Sequence, residues 1–266
     1  MDRHRDFYDV RPALYTGATE STSRAVNTLQ ENSVKILIAV VTCHAHALHQ
    51  KCIRETWLPL VQGADVKFFY GPSERSPKED EVFLDCDDSY EGLPSKVQSI
   101  VRWSLEQGYD YVVKLDDDVV INPVQFLSGF QNYDFTGRRN DIREYPVPFG
   151  FSYWMSRRSM QLVADATLPV DNNDEAWVTS VLSKAGIVLH HEARYIMYTG
   201  QRSEFVPNKP RALRAPPRTR LPNIVPDLST AMAYCIYLNW NGHRCTPDER
   251  IVAEMRKVFK EHVNSR

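Results

Sequence analysis

The stretch Tyr111-Val112-Val113-Lys114-Leu115-Asp116-Asp117-Asp118-Val119-Val120 decides the fold of this chain. An apolar, β-branched run leads into three consecutive carboxylates and then resumes. The run predicts a buried strand, and acids at the end of such a strand are costly unless a positive charge lies beside them. A divalent cation that carries phosphate oxygens meets this need, so the stretch predicts a metal-dependent site, with a solvated acidic turn after the strand as the alternative.

Other short apolar runs alternate with helical patterns on both sides of this strand. Strands are predicted at 34–41, 65–70, 81–85, 110–115, 133–136, around 149–155 and at 187–191; helices are predicted at 48–58, 96–107, 124–130, 156–163, 176–185, 227–240 and 248–262. This alternation predicts an α/β fold in which helices flank a mostly parallel, doubly wound sheet, in a single domain. Ligands of such sheets bind beyond the C-terminal ends of the strands, where the three acids fall.

The composition is that of an ordinary soluble domain. The chain has 266 residues, of which 42% are hydrophobic and 25% charged, and its net charge is −2. This balance argues against a generally basic nucleic-acid binder, and no apolar run reaches the roughly 18–20 residues of a membrane span. The start Met1–Asp6 does not predict a signal peptide. Five cysteines without a CxxC pair predict reduced thiols, while a Cys235–Cys245 disulfide stays open.

Several blocks together resemble one family. The segment Val112–Val119 resembles the DDD motif of the β-1,3-glycosyltransferases, which include galactosyltransferases, N-acetylglucosaminyltransferases and Fringe. Further blocks resemble the family's motifs in the same order: Ile53–Trp57, Asp88–Lys96, Tyr153–Ser156 and Asp174–Val178. The resemblance spans roughly 34–200 and implies a GT-A fold. It implies a nucleotide-binding half at about 34–122 and an acceptor half at about 123–266, after a polar N-terminal arm at 1–33.

The resemblance also implies a nucleotide-sugar site. Asp118 would bind the metal directly, Asp116 would bind the metal or the ribose or sugar of the donor, and Asp117 would support either. The implied cofactor is Mn²⁺, with Mg²⁺ as the alternative, bridging the diphosphate of a UDP-sugar. In this fold a histidine commonly completes the metal site. His191 is the expected ligand, with His190 and His243 as alternatives, and an ordinary strand-end role remains open for each.

Two acids after residue 173 are candidates for the catalytic base. Inverting sugar transfer needs a carboxylate that takes the proton of the acceptor hydroxyl. Glu175 stands where the family carries an aspartate, and its side chain is one methylene longer. Asp174 is the second candidate. Both would serve equally well as first-turn acids of a helix.

Five further residues are expected in the donor site. Arg54 and Lys96 would neutralise the diphosphate, with ordinary ion pairing as the alternative for each. Thr42, which follows the first strand, would bind the nucleotide. Phe151 and Ser152 stand where the family has small residues, so they are expected to line an altered pocket for the donor sugar.

The acceptor and the compartment are predicted less directly. A glycan acceptor is expected, and the basic, proline-rich segment 201–220 would suit a hydroxylated base in DNA. The chain is expected to be soluble and cytoplasmic, from a microbe or virus, or to act in the Golgi lumen if it is a trimmed catalytic domain. A metal-dependent phosphohydrolase or nuclease and a non-catalytic nucleotide-sugar-binding module are the alternative functions.

Overall fold

The computed structural model describes residues 34–140, 146–198, 231–236 and 248–264. Within these ranges the strands are β1 Ile36–Val41, β2 Asp65–Tyr70, β3 Glu81–Phe83, β4 Tyr111–Asp116, β5 Val119–Ile121, β6 Phe135–Asn140, β7 Val147–Ser156, β8 His190–His191, β9 Tyr195–Tyr198 and β10 Ala233–Ile236. The α-helices are α1 Ala47–Glu55, α2 Leu93–Glu106, α3 Pro123–Ser128, α4 Arg157–Ala164, α5 Asp174–Lys184 and α6 Asp248–Val258. A 3₁₀ turn at Leu58–Leu60 follows α1, and a π-helical segment at Phe259–Val263 continues α6.

Seven strands form the central sheet in the order β3-β2-β1-β4-β7-β6-β8. The pairs β2–β3, β1–β2, β1–β4 and β6–β8 are parallel, while β7 runs antiparallel to both β4 and β6. All strands of this sheet except β7 therefore point the same way. The predicted mostly parallel sheet is confirmed, and it gathers the C-terminal ends of β1 and β4 at one edge.

The central strand β1 separates two apolar cores because successive side chains point to opposite faces. Ile38 and Val40 belong to one core, and Leu37 and Ala39 belong to the other. The first core contains residues of α1, α3 and α6, and the second contains residues of α2, α4 and α5. Helices therefore cover both faces of the sheet, as the alternation of patterns predicted.

Three strands form a second sheet that the sequence patterns did not predict. β10 pairs antiparallel with β5 and parallel with β9. The prediction of a helix across 227–240 is wrong at 233–236, because this run is fully buried and forms a strand with two partners. The strand predicted at 187–191 is shorter than expected, since only His190–His191 pairs with β6.

The described residues also bear on the predicted thiols and on the predicted absence of a membrane span. Cys43, Cys52, Cys86 and Cys235 are free thiols. None of the helices in the described part of the chain has the length and apolar character needed to cross a membrane. Cys245, the predicted arm at 1–33 and the basic segment 201–220 lie outside the described residues.

Candidate active site

The three acids lie on a tight turn between the two sheets. β4 ends at Asp116, Asp117 and Asp118 form the turn, and β5 begins at Val119. The turn is fixed from two sides. The backbone N–H of Ile236 in β10 donates to the carbonyl of Asp118 (3.1 Å), and the indole N–H of Trp57 donates to the carbonyl of Val119 (3.1 Å).

A buried lysine lies directly beneath the first acid of the turn. Lys114 points to the same face of β4 as Asp116, and its Nζ donates to Asp116 Oδ1 and to the carbonyl of Gly150 on β7. The same Nζ lies 3.9 Å from Asp174 Oδ2. Lys114 therefore connects the acidic turn to the first residue of α5. It was not among the site residues predicted from the sequence.

The electrostatics show a concentration of negative charge at this edge. Burial raises the pKa of the Asp116 carboxyl to about 7, against the opposing effect of Lys114, and the charges of Asp118 and Asp174 add to the rise. Burial alone would lower the pKa of Lys114, but the charges of Asp116 and Asp174 raise it overall. Lys114 therefore stays protonated, and Asp116 sits in a place that a further positive charge would stabilise.

The middle acid turns away from its two neighbours and is buried. Asp117 accepts hydrogen bonds from Thr42 Oγ1 (2.5 Å), His46 Nδ1 (2.9 Å) and His49 Nδ1 (3.1 Å). Burial would raise the pKa of Asp117, yet the hydrogen bonds from His46 and His49 hold it well below its usual range. The hydrogen bond to Asp117 raises the pKa of His46 to about 11, with a smaller contribution from Cys43.

His46, His49 and Asp117 form a group that could hold a metal ion. Their three ligand-type atoms lie within 4.8 Å of one another. His46 and His49 precede Asp117 by 71 and 68 residues in the sequence. Sequence spacing alone could therefore not predict that the three side chains meet. The one available sign was the i, i+3 spacing of the histidines at the start of a helix, which puts them on one face.

The two candidate bases at the start of α5 occupy different environments. Asn173 caps this helix, its Oδ1 accepting from the backbone N–H of Ala176 (2.9 Å), so neither acid is needed as the cap. Asp174 is 3% exposed and accepts a hydrogen bond from the Tyr153 hydroxyl (2.7 Å).

Glu175, in contrast, is only partly buried. Its carboxylate lies beside Gly150, and a Cβ at position 150 would stand 3.3 Å from Glu175 Oε2. Lys114 donates to the carbonyl of this same glycine. The structure therefore brings together Asp116, Lys114, Asp174 and Glu175.

The two predicted phosphate-binding cations each meet a carboxylate of the chain itself. Arg54 donates to both oxygens of Asp80 (2.7 and 3.1 Å) and to Glu81 Oε1 (3.0 Å). Lys96 is 2% exposed, and its Nζ donates to Asp88 Oδ1 and to the carbonyl of Thr42. The ion-pairing alternative therefore describes both side chains in this structure.

Two predicted pocket residues lie inside the protein. Ser152 is fully buried and pairs with Leu115 across β4 and β7, and Phe151 is 5% exposed and packs in the first core. Both lie on β7, the strand that pairs with β4, and Leu115, the partner of Ser152, immediately precedes Asp116.

The structure does not bring His191 to the acidic turn. His191 lies on β8, and β6 and β7 separate that strand from β4, which amounts to three strand spacings or about 14 Å. It is exposed, and its Nδ1 accepts from the backbone N–H of Arg139 (3.0 Å). His190 stacks on Tyr133 with ring centroids 3.7 Å apart. His243 lies outside the described residues.

Comparisons with known proteins found one family model and a solved structure to which this chain is similar. Residues 50–147 match the family model described as Galactosyltransferase. A search of curated protein sequences found no match. Among solved structures, the chain is similar to a glycosyltransferase involved in the glycosylation of the major capsid of PBCV-1. The identity is 14% and the TM-score 0.45, covering 84% of this chain and 99% of the other. The matched segment, 98 of the 266 residues, includes the acidic turn, so this part of the chain is similar to the galactosyltransferases.

Proposed function

We propose that this chain transfers a sugar from a nucleotide-sugar, in the first place a UDP-sugar, to a hydroxyl group of a glycan, with inversion at the anomeric carbon. One observation carries the proposal. Buried Lys114 contacts Asp116 and the carbonyl of Gly150 and lies 3.9 Å from Asp174, so the acidic turn and the start of α5 share one edge of the sheet. Donor binding and proton removal need such neighbouring acids.

The acids of the turn fit a hard divalent cation. Asp116 and Asp118 offer carboxylate oxygens, which Mn²⁺ and Mg²⁺ prefer. The negative charges of these acids also affect a neighbouring thiol. The pKa of Cys235 is raised mainly by burial and further by the charges of Asp118 and Asp116. We propose that Asp118 and Asp116 would hold the cation, whose chemistry is to stabilise the departing diphosphate. His191 is not needed for this assignment.

Glu175 is the better candidate for the base. Asp174 is buried and already bonded to Tyr153, whereas Glu175 is partly exposed beside Gly150. Glu175 takes the proton of the acceptor hydroxyl while that oxygen forms a bond to the anomeric carbon. The bond from that carbon to the diphosphate oxygen breaks, and its electron pair leaves with the diphosphate. Asp174 acts by holding Tyr153 and facing Lys114.

The remaining predicted residues shape the donor site. We propose that Thr42 and Lys96 position the C-terminal end of β1, because Thr42 bonds Asp117 and Lys96 bonds the Thr42 carbonyl. Arg54 stabilises the start of β3 by donating to Asp80, the residue before that strand. Phe151 and Ser152 form the floor. A glycan acceptor is supported by the similarity to the Galactosyltransferase family model. The DNA acceptor relied on the segment 201–220, which lies outside the described residues.

The proposal is tested with a matrix of donors and acceptors. The full chain is incubated with UDP-, GDP- and CMP-sugars, with and without oligosaccharides, in Mn²⁺ or in EDTA, and released nucleotide is measured. We expect metal-dependent release from a UDP-sugar that rises with an acceptor, and a product of inverted anomeric configuration by NMR. Release from simple phosphoesters, without any response to a sugar donor, would instead indicate the phosphohydrolase.

A further inference from the structure

A second group of metal-ligand side chains lies on the opposite side of the acidic turn from Asp116. His46 is the residue before α1, and His49 lies in the first turn of that helix. Their Nδ1 atoms face separate oxygens of the Asp117 carboxylate, at 2.9 and 3.1 Å. This group joins the start of α1 to the turn, although the two lie about 70 residues apart along the chain.

These distances suit ligands of one ion. Two atoms that bind one metal at about 2.1 Å in neighbouring octahedral positions lie about 3 Å apart, and in a tetrahedral site slightly further. Two imidazoles and one carboxylate make a nitrogen-rich set, which favours Zn²⁺, Co²⁺ or Ni²⁺ over Mn²⁺ and Mg²⁺. His46 has a side chain 41% exposed, so an ion and its waters could enter from solvent.

The surroundings of the two histidines support the same conclusion. His49 is 3% exposed, and within the described residues its Nε2 has no hydrogen-bond partner. That Nε2 lies 3.7 Å from Asp248 Oδ1 at the start of α6. Histidines that bind metal through one ring nitrogen commonly direct the other at a carboxylate. His46 occupies the N-cap position of α1 without capping the helix, because its ring faces Asp117 instead.

We propose that His46, His49 and Asp117 form a second metal site, selective for a late transition ion such as Zn²⁺ and separate from the site at Asp116 and Asp118. The ion would link the start of α1 to Asp117 of the acidic turn. The proposed cation site of Asp116 and Asp118 would remain on the other side of the turn, facing the donor. This site does not depend on glycosyl transfer, so the two proposals can fail independently.

The experiment counts ions on the purified full chain. Protein stripped with a chelator is titrated with Zn²⁺ against a chromophoric chelator, and with Co²⁺ while its visible d–d bands are recorded. Four variants are compared with the wild type: His46→Ala, His46→Gln, Asp118→Ala and His44→Ala. His44 is an exposed histidine of the same loop outside the group, so it is the matched control. Thermal unfolding with and without Zn²⁺ reports folding.

We expect one Zn²⁺ per wild-type chain and a raised midpoint of unfolding in its presence. Both His46 variants should bind Zn²⁺ at least about 100-fold more weakly, and the Co²⁺ bands should disappear. His44→Ala and Asp118→Ala should keep the ion. Absence of Zn²⁺ binding in folded wild type, equal affinity in the His46 variants, or loss confined to Asp118→Ala would each overturn the second site. The last result would assign the ion to the donor site.

Discussion

The Lys114 ammonium group lies 3.9 Å from the buried carboxylate of Asp174. It also donates to Asp116 and to the carbonyl of Gly150, so one cation lies between the end of β4 and the start of α5. A buried cation with such partners is costly to remove, because the acids then remain buried without it.

Lys114→Met is therefore expected to lower the free energy of unfolding by about 3–5 kcal/mol. Urea denaturation measures the change. Lys67→Met on the neighbouring strand β2 is the control, since Lys67 is only partly buried and its Nζ donates to the carbonyl of Glu79. That control is expected to cost less than about 1 kcal/mol. In the double variant with Asp174→Asn the losses should be less than additive, and strict additivity would contradict the coupling.

The two acids of α5 are expected to respond differently to neutralisation. Glu175→Gln should lower kcat by about 10²–10⁴-fold with little change in Tm, because it removes the proposed base and leaves Asn173 as the cap. Asp174→Asn should mainly lower Tm, since Asp174 is buried and bonded to Tyr153. Steady-state kinetics measure kcat and thermal unfolding measures Tm for both variants. A wild-type kcat for Glu175→Gln would show that Glu175 is not the base.

The space at Gly150 is expected to matter for turnover. A Cβ there would lie 3.3 Å from Glu175 Oε2, so Gly150→Ala should displace the carboxylate and lower kcat by about tenfold or more. Gly63→Ala is the matched contrast. Gly63 has φ +81, and a Cβ added there would meet no atom within 4 Å, so the change should cost about 1 kcal/mol of stability through strain and leave kcat unchanged. Equal kcat values for both variants would show that a Cβ at position 150 does not displace the Glu175 carboxylate, and would contradict the prediction.

Glu81 is expected to make stability depend on acid pH. Its side chain is 1% exposed and meets Arg54 Nη2 (3.0 Å) and Arg75 Nη1 (2.6 Å). Burial would raise the pKa of Glu81, but its hydrogen bonds and the neighbouring cations lower it to about 2. A lowered folded-state pKa stabilises the protein above the unfolded value of about 4.5 and loses this stabilisation as the pH falls toward 2.

Between pH 5 and pH 3 the wild type should therefore lose about 2 kcal/mol more stability than Glu81→Gln does. Chemical denaturation at several pH values measures the slopes. Glu79→Gln, at an exposed neighbouring position, should follow the wild-type slope. Parallel curves for the wild type and Glu81→Gln would contradict the role of this carboxylate.

The parts of the fold that were predictable are those with strong local patterns. β1, β2 and β4 are short, largely apolar and β-branched or aromatic, and β1 is buried on both faces, so sequence and structure agree within one or two residues. β10 was mistaken for helix because a buried run of four residues has no period of its own. Its identity comes from its partners β5 and β9, which local patterns cannot show.

The candidate site was predictable where residues lie next to each other in sequence. The acids of the turn stand out as a run at the end of a strand, whereas the acids of α5 were proposed from the resemblance to the family's motif. Lys114 was overlooked, although a lysine inside an otherwise apolar strand indicates a buried, paired cation. The bonds from His46 and His49 to Asp117 span 71 and 68 residues and depend on how α1 meets the end of β4.

The most direct test of the account compares wild type with Asp118→Ala and Glu175→Gln on the UDP-sugar and acceptor that the donor screen selects. Turnover is measured in Mn²⁺ and again after EDTA, with circular dichroism to confirm folding. Wild type is expected to transfer sugar only with the cation, and kcat of both folded variants is expected to fall by at least about 100-fold. Sugar transfer that continues in EDTA, or at wild-type rate in Asp118→Ala, would contradict it.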